Sequence, residues 1–338
     1  MYEEIRAHGP LLRSRVGRWV TVDHRIADQI LRDRRFGVRS GGYTPPPDRF
    51  EPALGEGWDP SFLALDPPDH TRLRRLAAPA FTPKRIAGYR DRIERATDRL
   101  VDRALARAER DGRFDLMAHL AAPLPISVIA ELLGLPETDV PRLARYGNAL
   151  GASLDGIRSL RHARELQTTI RDLQDLFADL VELRTREPGE DVVSRLVAGL
   201  GAQKLTPGEL LQACALLLVA GFETTVNLIG NGVRALLDHP EQWALLREDP
   251  GLAPRVVEEV LRYDSPVQLT ERIAKEDVEL AGKTIRRDRS VLVLLGAAGR
   301  DPRVFDEPDR FDITRERSAE HLAFSSGVHY CLGAPLAR

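Results

Sequence analysis

The 338-residue chain lacks several features that would assign it to a specialised class. Its only cysteines are Cys214 and Cys331, which rules out a disulfide scaffold and fits a reducing compartment. The longest apolar runs cover residues 214–222 and 291–299, far short of the roughly 20 helical residues that cross a bilayer. Met1 is followed by charged residues rather than an apolar segment, so no signal peptide is visible. We therefore expect a soluble, cytoplasmic protein that does not bind a membrane.

Lysine is also scarce, and the charge is nearly balanced. Lys and Arg together number 49, of which four are lysine, and the net charge is −2. No basic domain or aromatic-interleaved stripe is present, so nucleic-acid binding is not expected. The sequence has no H-E-x-x-H motif and no G-x-G-x-x-G motif after a predicted strand. These absences leave a zinc or non-haem iron enzyme, and an NAD(P)H or flavin site within this chain, without support.

Helical periodicity dominates what is present. No repeat, low-complexity tract or linker interrupts residues 1–338, so we predict a single, mainly α domain with a small β-rich region. The predicted helices cover residues 23–33, 66–110, 115–133, 137–150, 157–185, 206–238 and 251–263. The predicted strands cover residues 11–22 and a small β-meander at 267–294, and the predicted irregular segments cover 37–62 and 300–321.

Cys331 lies in a glycine-punctuated loop that leads into a helix, within F-x-x-G-x-H-x-C-x-G at residues 324–333. Backbone N–H groups around such a turn can stabilise an anionic sulfur, and a thiolate donates electron density to iron. The alternative is a cysteine used as a small hydrophobic residue. The pattern resembles the haem-binding loop of the cytochrome P450 monooxygenases. By that resemblance Cys331 is the axial ligand of the iron, and Phe324 and Gly333 belong to the haem-binding loop.

A second unusual segment, A-G-F-E-T-T at residues 220–225, lies inside the longest predicted helix. Glycine and β-branched threonine are weak helix formers, and a threonine can return its hydroxyl to the carbonyl four residues earlier. The segment resembles the oxygen-activation motif A-G-x-[DE]-T of the same family. That resemblance makes Glu223 and Thr224 the catalytic pair for proton delivery, and it makes Gly221 the residue that lets dioxygen and substrate approach. The alternative is a kinked helix with a surface glutamate.

Four basic side chains match the family's donors to the haem propionates. His70 and Arg74 lie at i,i+4 in H-x-x-x-R, Arg272 lies in a predicted strand, and His329 lies in the cysteine loop. For each of them the alternative is a structural role, such as a solvated helix face for the His70–Arg74 pair. Cys214 is expected to be a core residue.

A further pair is expected to be structural. Glu259 and Arg262 form an E-x-x-R element, and the resemblance adds Arg310 as a second arginine that pairs with Glu259 and locks the irregular segment. Alone, the Glu259–Arg262 spacing would also suit a solvated helix face.

The resemblance covers nearly the whole chain and implies the P450 fold, haem b as cofactor and monooxygenase activity on a hydrophobic small molecule of secondary metabolism. It also implies electron supply from a ferredoxin or flavodoxin-type partner and a monomeric state. Substrate contacts are expected in the 37–62 loop, around residues 145–160, at 217–222 and at 266–269.

The sequence departs from the family pattern in two motifs and at its end. Ser325 and Gly299 replace the family's frequent glycine and asparagine. Family members continue for several tens of residues past the cysteine, so we expect this domain to lack most of its C-terminal helix and a terminal β-hairpin. The competing hypothesis is a truncated, non-catalytic haem- or ligand-binding protein.

Overall fold

The computed structural model describes residues 2–39, 61–153, 156–202, 204–316 and 319–338. Most of the predicted 37–62 loop lies outside these residues. The α-helices of the described residues are α1 (Tyr2–Ala7), α2 (His24–Arg32), α3 (Asp69–Ala77), α4 (Pro83–Asp111), α5 (Pro123–Leu133), α6 (Val140–Ser153), α7 (Leu160–Arg186), α8 (Val192–Gly201), α9 (Pro207–Asp238), α10 (Pro240–Glu248), α11 (Ala253–Tyr263), α12 (Leu295–Ala298) and α13 (Ala334–Ala337). This mainly α architecture confirms the predicted fold class.

The strands form two small sheets rather than the predicted meander. They are β1 (Leu11–Arg13), β2 (Trp19–Thr21), β3 (Phe36–Gly37), β4 (Thr270–Ala274), β5 (Val278–Leu280), β6 (Lys283–Ile285) and β7 (Ser290–Val293). Five of them form a sheet in the order β1-β2-β7-β4-β3, whereas β5 and β6 form a separate hairpin. Strand β7 pairs parallel with β2 and antiparallel with β4, so strands from both ends of the chain share one sheet. Local alternation predicts strands but does not reveal such long-range pairing.

The described residues divide into two compact units. One contains residues 2–39, 227–316, 319–334 and 338, and the other contains 61–153, 156–202, 204–226 and 335–337. Helix α9 contributes its first part to the second unit and its last part to the first. We refer to them as the sheet unit and the helical unit.

Among its described residues, the sheet unit contains two apolar clusters. One lies between the five-stranded sheet and α2, where Ile30, Val291 and Val293 are fully buried. The other lies between α11 and the irregular chain that follows α12, with Val260 packed near Phe311 and Ile313. The second core anchors a stretch of about 30 residues that has little regular structure of its own, and it therefore positions the segment that leads to Cys331.

The helical unit is built on heptad-like spacing. Buried side chains of α7 recur at alternating intervals of three and four residues, which gives the helix one apolar face. The buried residues of α7 are Ala163, Leu166, Ile170, Leu173, Leu176, Phe177 and Leu180. Helix α9 is the one described helix that is long and apolar enough to cross a membrane, but a core helix of a soluble protein meets the same criterion.

Several elements differ from the sequence-based prediction. The predicted 66–110 helix is interrupted at residues 78–82, because Pro83 lacks the N–H that a continuous helix needs and instead begins α4. Helices α1, α8 and α10 are present but were not predicted, since each is short, with 6, 10 and 9 residues. Helix α8 begins where Asp191 accepts a hydrogen bond from the Ser194 N–H at 2.8 Å.

Candidate functional site

The loop that presents Cys331 belongs to the sheet unit. It is closed by a hydrogen bond from the Cys331 N–H to the Phe324 carbonyl at 2.9 Å, with a short 3₁₀ turn at Gly327–His329 inside it. Ser325 and Gly327 both have positive φ, 60° and 68°. This geometry explains why glycine is favoured at the position of Ser325, since residues with side chains rarely adopt it.

Gly327 is required for a second reason. A Cβ atom built on it would lie 2.3 Å from the Leu31 carbonyl oxygen, so the loop could not approach α2 with any other residue there.

The two cysteines differ sharply in solvent exposure. Cys331 is exposed, whereas Cys214 is buried in α9, where burial raises the pKa of its thiol to about 12. As predicted, Cys214 is a core residue, whereas Cys331 is accessible from solvent.

Two of the predicted propionate donors lie in this unit. Arg272 of β4 is buried, and its guanidinium donates to the Thr270 hydroxyl at 3.0 Å and to the Glu271 carbonyl at 2.8 Å. It also reaches the Ser325 hydroxyl in the cysteine loop at 3.4 Å. His329 lies in the 3₁₀ turn two residues before Cys331. The structure therefore brings Arg272 and the cysteine loop together across a sequence separation of more than 50 residues.

The other two predicted donors, His70 and Arg74, lie one turn apart on α3 in the helical unit. His70 is buried, and burial lowers the pKa of its imidazole, with the positive charge of Arg74 acting in the same direction. A neutral imidazole beside a guanidinium offers one hydrogen-bond donor and one cationic donor. Such a set suits a carboxylate ligand.

The segment at residues 220–225 lies within α9. The Thr224 hydroxyl donates to the Ala220 carbonyl at 2.7 Å, which is the back-bond predicted from the sequence. A Cβ on Gly221 would lie 2.3 Å from the Ile129 Cδ1 atom. Gly221 therefore allows α9 to pack closely against α5, a packing role that the sequence analysis did not foresee.

Helix α6 also approaches this segment closely. A Cβ on Gly147 would lie 2.6 Å from the ring of Phe222, and a Cβ on Gly151 would lie 2.5 Å from the Glu223 Oε2 atom. The two glycines are one turn apart on α6, so they face consecutive residues of α9. Sequence reasoning missed Gly151, because a glycine in a helix carries no sign of which carboxylate it faces.

The E-x-x-R pair is buried and bidentate. Arg262 donates to the two carboxylate oxygens of Glu259 at 2.7 and 2.8 Å, and its remaining N–H groups reach the carbonyls of Gly299, Pro308 and Arg310 at 2.7 to 3.0 Å. Glu259 also accepts the Asp312 N–H at 2.9 Å. This pair thus ties α11 to the irregular segment, as predicted.

The predicted second arginine is wrong. The Arg310 guanidinium pairs with Glu307 at 3.0 Å and is 56% exposed. The partner of Glu259 is instead Arg315, whose Nε lies 3.3 Å from the carboxylate. Arg310 contributes only its backbone carbonyl, because the turn at Glu307–Arg310 points its side chain toward Glu307.

Comparison with known proteins agrees with this arrangement. The family profile described as Cytochrome P450 matches residues 251–338. "Putative cytochrome P450 140" of Mycobacterium tuberculosis is 44% identical over 348 residues, which cover all of this chain and 78% of that protein. "Cytochrome P450 monooxygenase PikC" of Streptomyces venezuelae is 42% identical over all of this chain and 79% of that protein.

Solved structures give the same result. The structure described as P450BioI in complex with hexadec-9Z-enoic acid ligated acyl carrier protein has a TM-score of 0.90 and 38% identity, covering 99% of this chain and 86% of that one. This chain belongs to the cytochrome P450 family. Membership makes it an oxidoreductase whose chemistry uses haem, O2, a redox partner and a small-molecule substrate.

Proposed function

We propose that the protein is a haem-thiolate monooxygenase that uses haem b. One oxygen atom of O2 enters a C–H bond or an alkene of a hydrophobic small molecule, and the other leaves as water. The observation that carries the proposal is the exposed Cys331 thiol in a loop closed by the Phe324–Cys331 hydrogen bond. We further propose that the chain forms one domain, works in the cytoplasm as a monomer and receives electrons from a ferredoxin-type partner.

The donor set fits a haem group chemically. A single soft sulfur ligand suits iron, and the haem's two carboxylates call for cationic and N–H donors. Cys331 would ligate the iron of the haem, and Phe324, Gly333 and Gly221 would lie beside the haem. The proposed propionate donors are His70, Arg74, Arg272 and His329.

When bound, the haem supplies the redox chemistry that activates dioxygen. The chain's own part in that chemistry is to hold protons at defined atoms. The Thr224 hydroxyl is fixed by its hydrogen bond to Ala220, and the Glu223 carboxylate lies one residue earlier, against Gly151. We assign these two side chains the delivery of protons, with Glu223 as the acid and Thr224 as the positioned alcohol.

The proposed substrate is an apolar molecule such as a fatty acyl chain, polyketide or terpenoid. The solved relative in complex with hexadec-9Z-enoic acid ligated acyl carrier protein supports the first of these classes. Val267 and Leu269, in the predicted contact segment 266–269, are exposed apolar residues. In the segment 217–222, Leu218 and Phe222 are fully buried within the protein, so they act through packing rather than by contact with substrate. Secondary metabolism is the proposed context.

A ferrous–CO absorption spectrum tests the proposal. The protein should show the Soret band of thiolate-ligated haem, and Cys331→Ala should abolish it. Cys214→Ala is the matched control, because it removes the other thiol from a buried site and should leave the band in place. Turnover with a ferredoxin and its reductase should then give a monooxygenated product. Haem binding without turnover would favour the non-catalytic alternative, and absence of haem from the wild-type protein would overturn the proposal.

A further inference from the structure

A second carboxylate on α11, directly before the E-x-x-R glutamate, holds the segment that contains Cys331. The Arg338 Nε donates to the Glu258 Oε1 atom at 2.6 Å, and the His321 Nε2 lies 3.3 Å from the Glu258 Oε2 atom. These two partners lie on either side of Cys331 in the chain, ten residues before it and seven after it. The Glu258 side chain is 14% exposed, so little water competes for it.

The hydrogen bonds of His321 identify its tautomer. Its Nδ1 accepts a hydrogen bond from the Ala323 N–H at 3.2 Å, so Nδ1 carries a lone pair. The proton of the neutral ring is therefore on Nε2, the nitrogen that lies 3.3 Å from the Glu258 Oε2 atom. The ring of His321 also lies 5.8 Å from that of Phe324.

Arg338 connects Glu258 to both ends of the cysteine loop. Its guanidinium carbon lies 4.6 Å from the centre of the Phe324 ring, and its NH1 group donates to the Tyr330 hydroxyl at 3.2 Å. Phe324 in turn accepts the Cys331 N–H through its carbonyl. An unbroken series of contacts thus runs from the Glu258 carboxylate to the residue that bears the sulfur.

The charges in this series are balanced. Burial raises the pKa of Glu258, but the contacts with His321 and Arg338, together with the positive charge of Arg338, outweigh it and lower that pKa to about 2. Glu258 is therefore ionised throughout the physiological range, and its negative charge offsets the positive charge of Arg338 near the loop. Loss of Glu258 alone, or of Arg338 alone, would leave the opposite charge of the pair without its partner.

We propose that Glu258 is a positioning residue for Cys331. Through Arg338 and His321 it fixes the 324–331 loop, and it balances the Arg338 charge that acts on the sulfur and its iron. The second part rests on the proposed function, because a reduction potential exists only in the haem-loaded protein. The two adjacent glutamates of α11 then position different segments. Glu259 positions residues 299–315, and Glu258 positions residues 321–338.

The test compares Glu258→Gln, Arg338→Gln and the double variant, with Glu258→Asp as the conservative substitution. Glu209→Gln is a matched control in the helical unit. Its carboxylate pairs with Arg72 at 2.5 Å. The two pairs are almost equally exposed: the glutamate side chain is 14% exposed in both, and the arginine side chain is 39% exposed in Arg72 and 37% in Arg338. A general loss of stability should therefore appear equally in the control.

The first measurement is the midpoint potential of the haem-loaded protein by spectroelectrochemistry. Glu258→Gln should favour the reduced form about fivefold, and Arg338→Gln should disfavour it by a similar factor, because the two changes alter the local charge in opposite directions. The double variant and Glu258→Asp should lie near the wild type, and Glu209→Gln should not shift the potential. Shifts of the same sign in both single variants, or an equal shift in the control, would overturn the charge-balancing role.

The second measurement is amide hydrogen exchange of the haem-free protein by mass spectrometry. Peptides that contain residues 324–331 should exchange at least about threefold faster in Glu258→Gln and Arg338→Gln than in the wild type. In Glu209→Gln their exchange rate should equal that of the wild type. Unchanged exchange in the first two variants would overturn the positioning role. Wild-type protein without a thiolate-ligated spectrum would contradict the proposed function instead, and the exchange measurement would still decide the positioning role.

Discussion

The segment around Cys331 and the segment around Glu223 are held in place by different physical means. The chain from Gly299 to Cys331 has little regular structure, so many of its backbone carbonyls and N–H groups need side-chain partners. Arg262, Arg315 and Glu259 supply several of these partners in the sheet unit. Ionic side chains therefore do here what backbone hydrogen bonds do in a helix.

The 220–225 segment needs no such partners, because the helix α9 satisfies its own backbone. There, close packing fixes the distance between the segment and the neighbouring helices α5 and α6. Side chains of the facing helix lie so close to the glycines on the segment and on α6 that a methyl group added to these glycines would clash with them. An irregular loop is thus held by polar cross-links and a helical site by steric fit. The two should respond differently to substitution.

The largest expected effect is the loss of the buried cross-link in the sheet unit. Arg262→Ala should lower the free energy of unfolding by about 3–5 kcal/mol, because it leaves the Glu259 carboxylate buried without its bidentate partner. Urea denaturation of the haem-free protein measures the change. Arg310→Ala is the control, since its exposed guanidinium should contribute no more than about 0.5 kcal/mol. Equal losses in both variants would restore the predicted role of Arg310.

Gly147→Ala tests the steric part of the comparison. The added methyl group would lie 2.6 Å from the ring of Phe222, which is fully buried. Overpacking of this kind lowers stability by about 1–3 kcal/mol, although alanine is the better helix former. Thermal and urea unfolding give the value. Gly88→Ala on α4, where the Cβ would meet nothing within 4 Å, is the control and should be neutral or stabilising. A neutral Gly147→Ala would show that the helices can separate freely.

The low pKa of Glu258 predicts acid sensitivity in the sheet unit. An unperturbed glutamate titrates near 4.5, and Glu258 in the folded protein titrates near 2. Its ionic contribution is therefore fully present above pH 4.5 and is lost as the pH falls through 2. After allowance for solvent screening we expect about 1–2 kcal/mol.

Urea titrations of the haem-free protein between these pH values check this expectation. The difference between wild type and Glu258→Gln should shrink as the pH falls. A constant difference across the range would contradict the assigned pKa direction.

The sequence predicted most of the longer helices, whose causes are local, and missed contacts between parts of the chain that are distant in sequence. The beginning of α9 was expected from Thr206 and Glu209, and both bonds of that capping box are present, at 2.8 and 3.1 Å. The Thr224 back-bond is equally local. The exchange of Arg310 for Arg315 was not predictable, because both follow the same helix at similar separations and only the turn geometry distinguishes them. Glu258 was missed because its partners, His321 and Arg338, lie far from it along the chain.

The smallest effect on stability, and the sharpest on function, is expected for Gly151→Ala. The added methyl group would meet the end of the Glu223 side chain, which can rotate away, and alanine is the better helix former. Stability should therefore change by less than about 1 kcal/mol. If Glu223 delivers protons, its displacement should reduce product formed per O2 consumed about threefold to tenfold.

A double-mutant cycle with Glu223→Gln distinguishes displacement of the carboxylate from a general disturbance of α6. Displacement predicts that Gly151→Ala has no further effect once the carboxylate is absent, so the double variant should couple O2 to product as well as Glu223→Gln alone. Additive losses would mean that Gly151 acts on the site by another route. Because Gly147 and Gly151 lie one turn apart on the same helix, a stability loss confined to the first and a coupling loss confined to the second would show that the steric fit of α6 against α9 contributes to the position of this carboxylate.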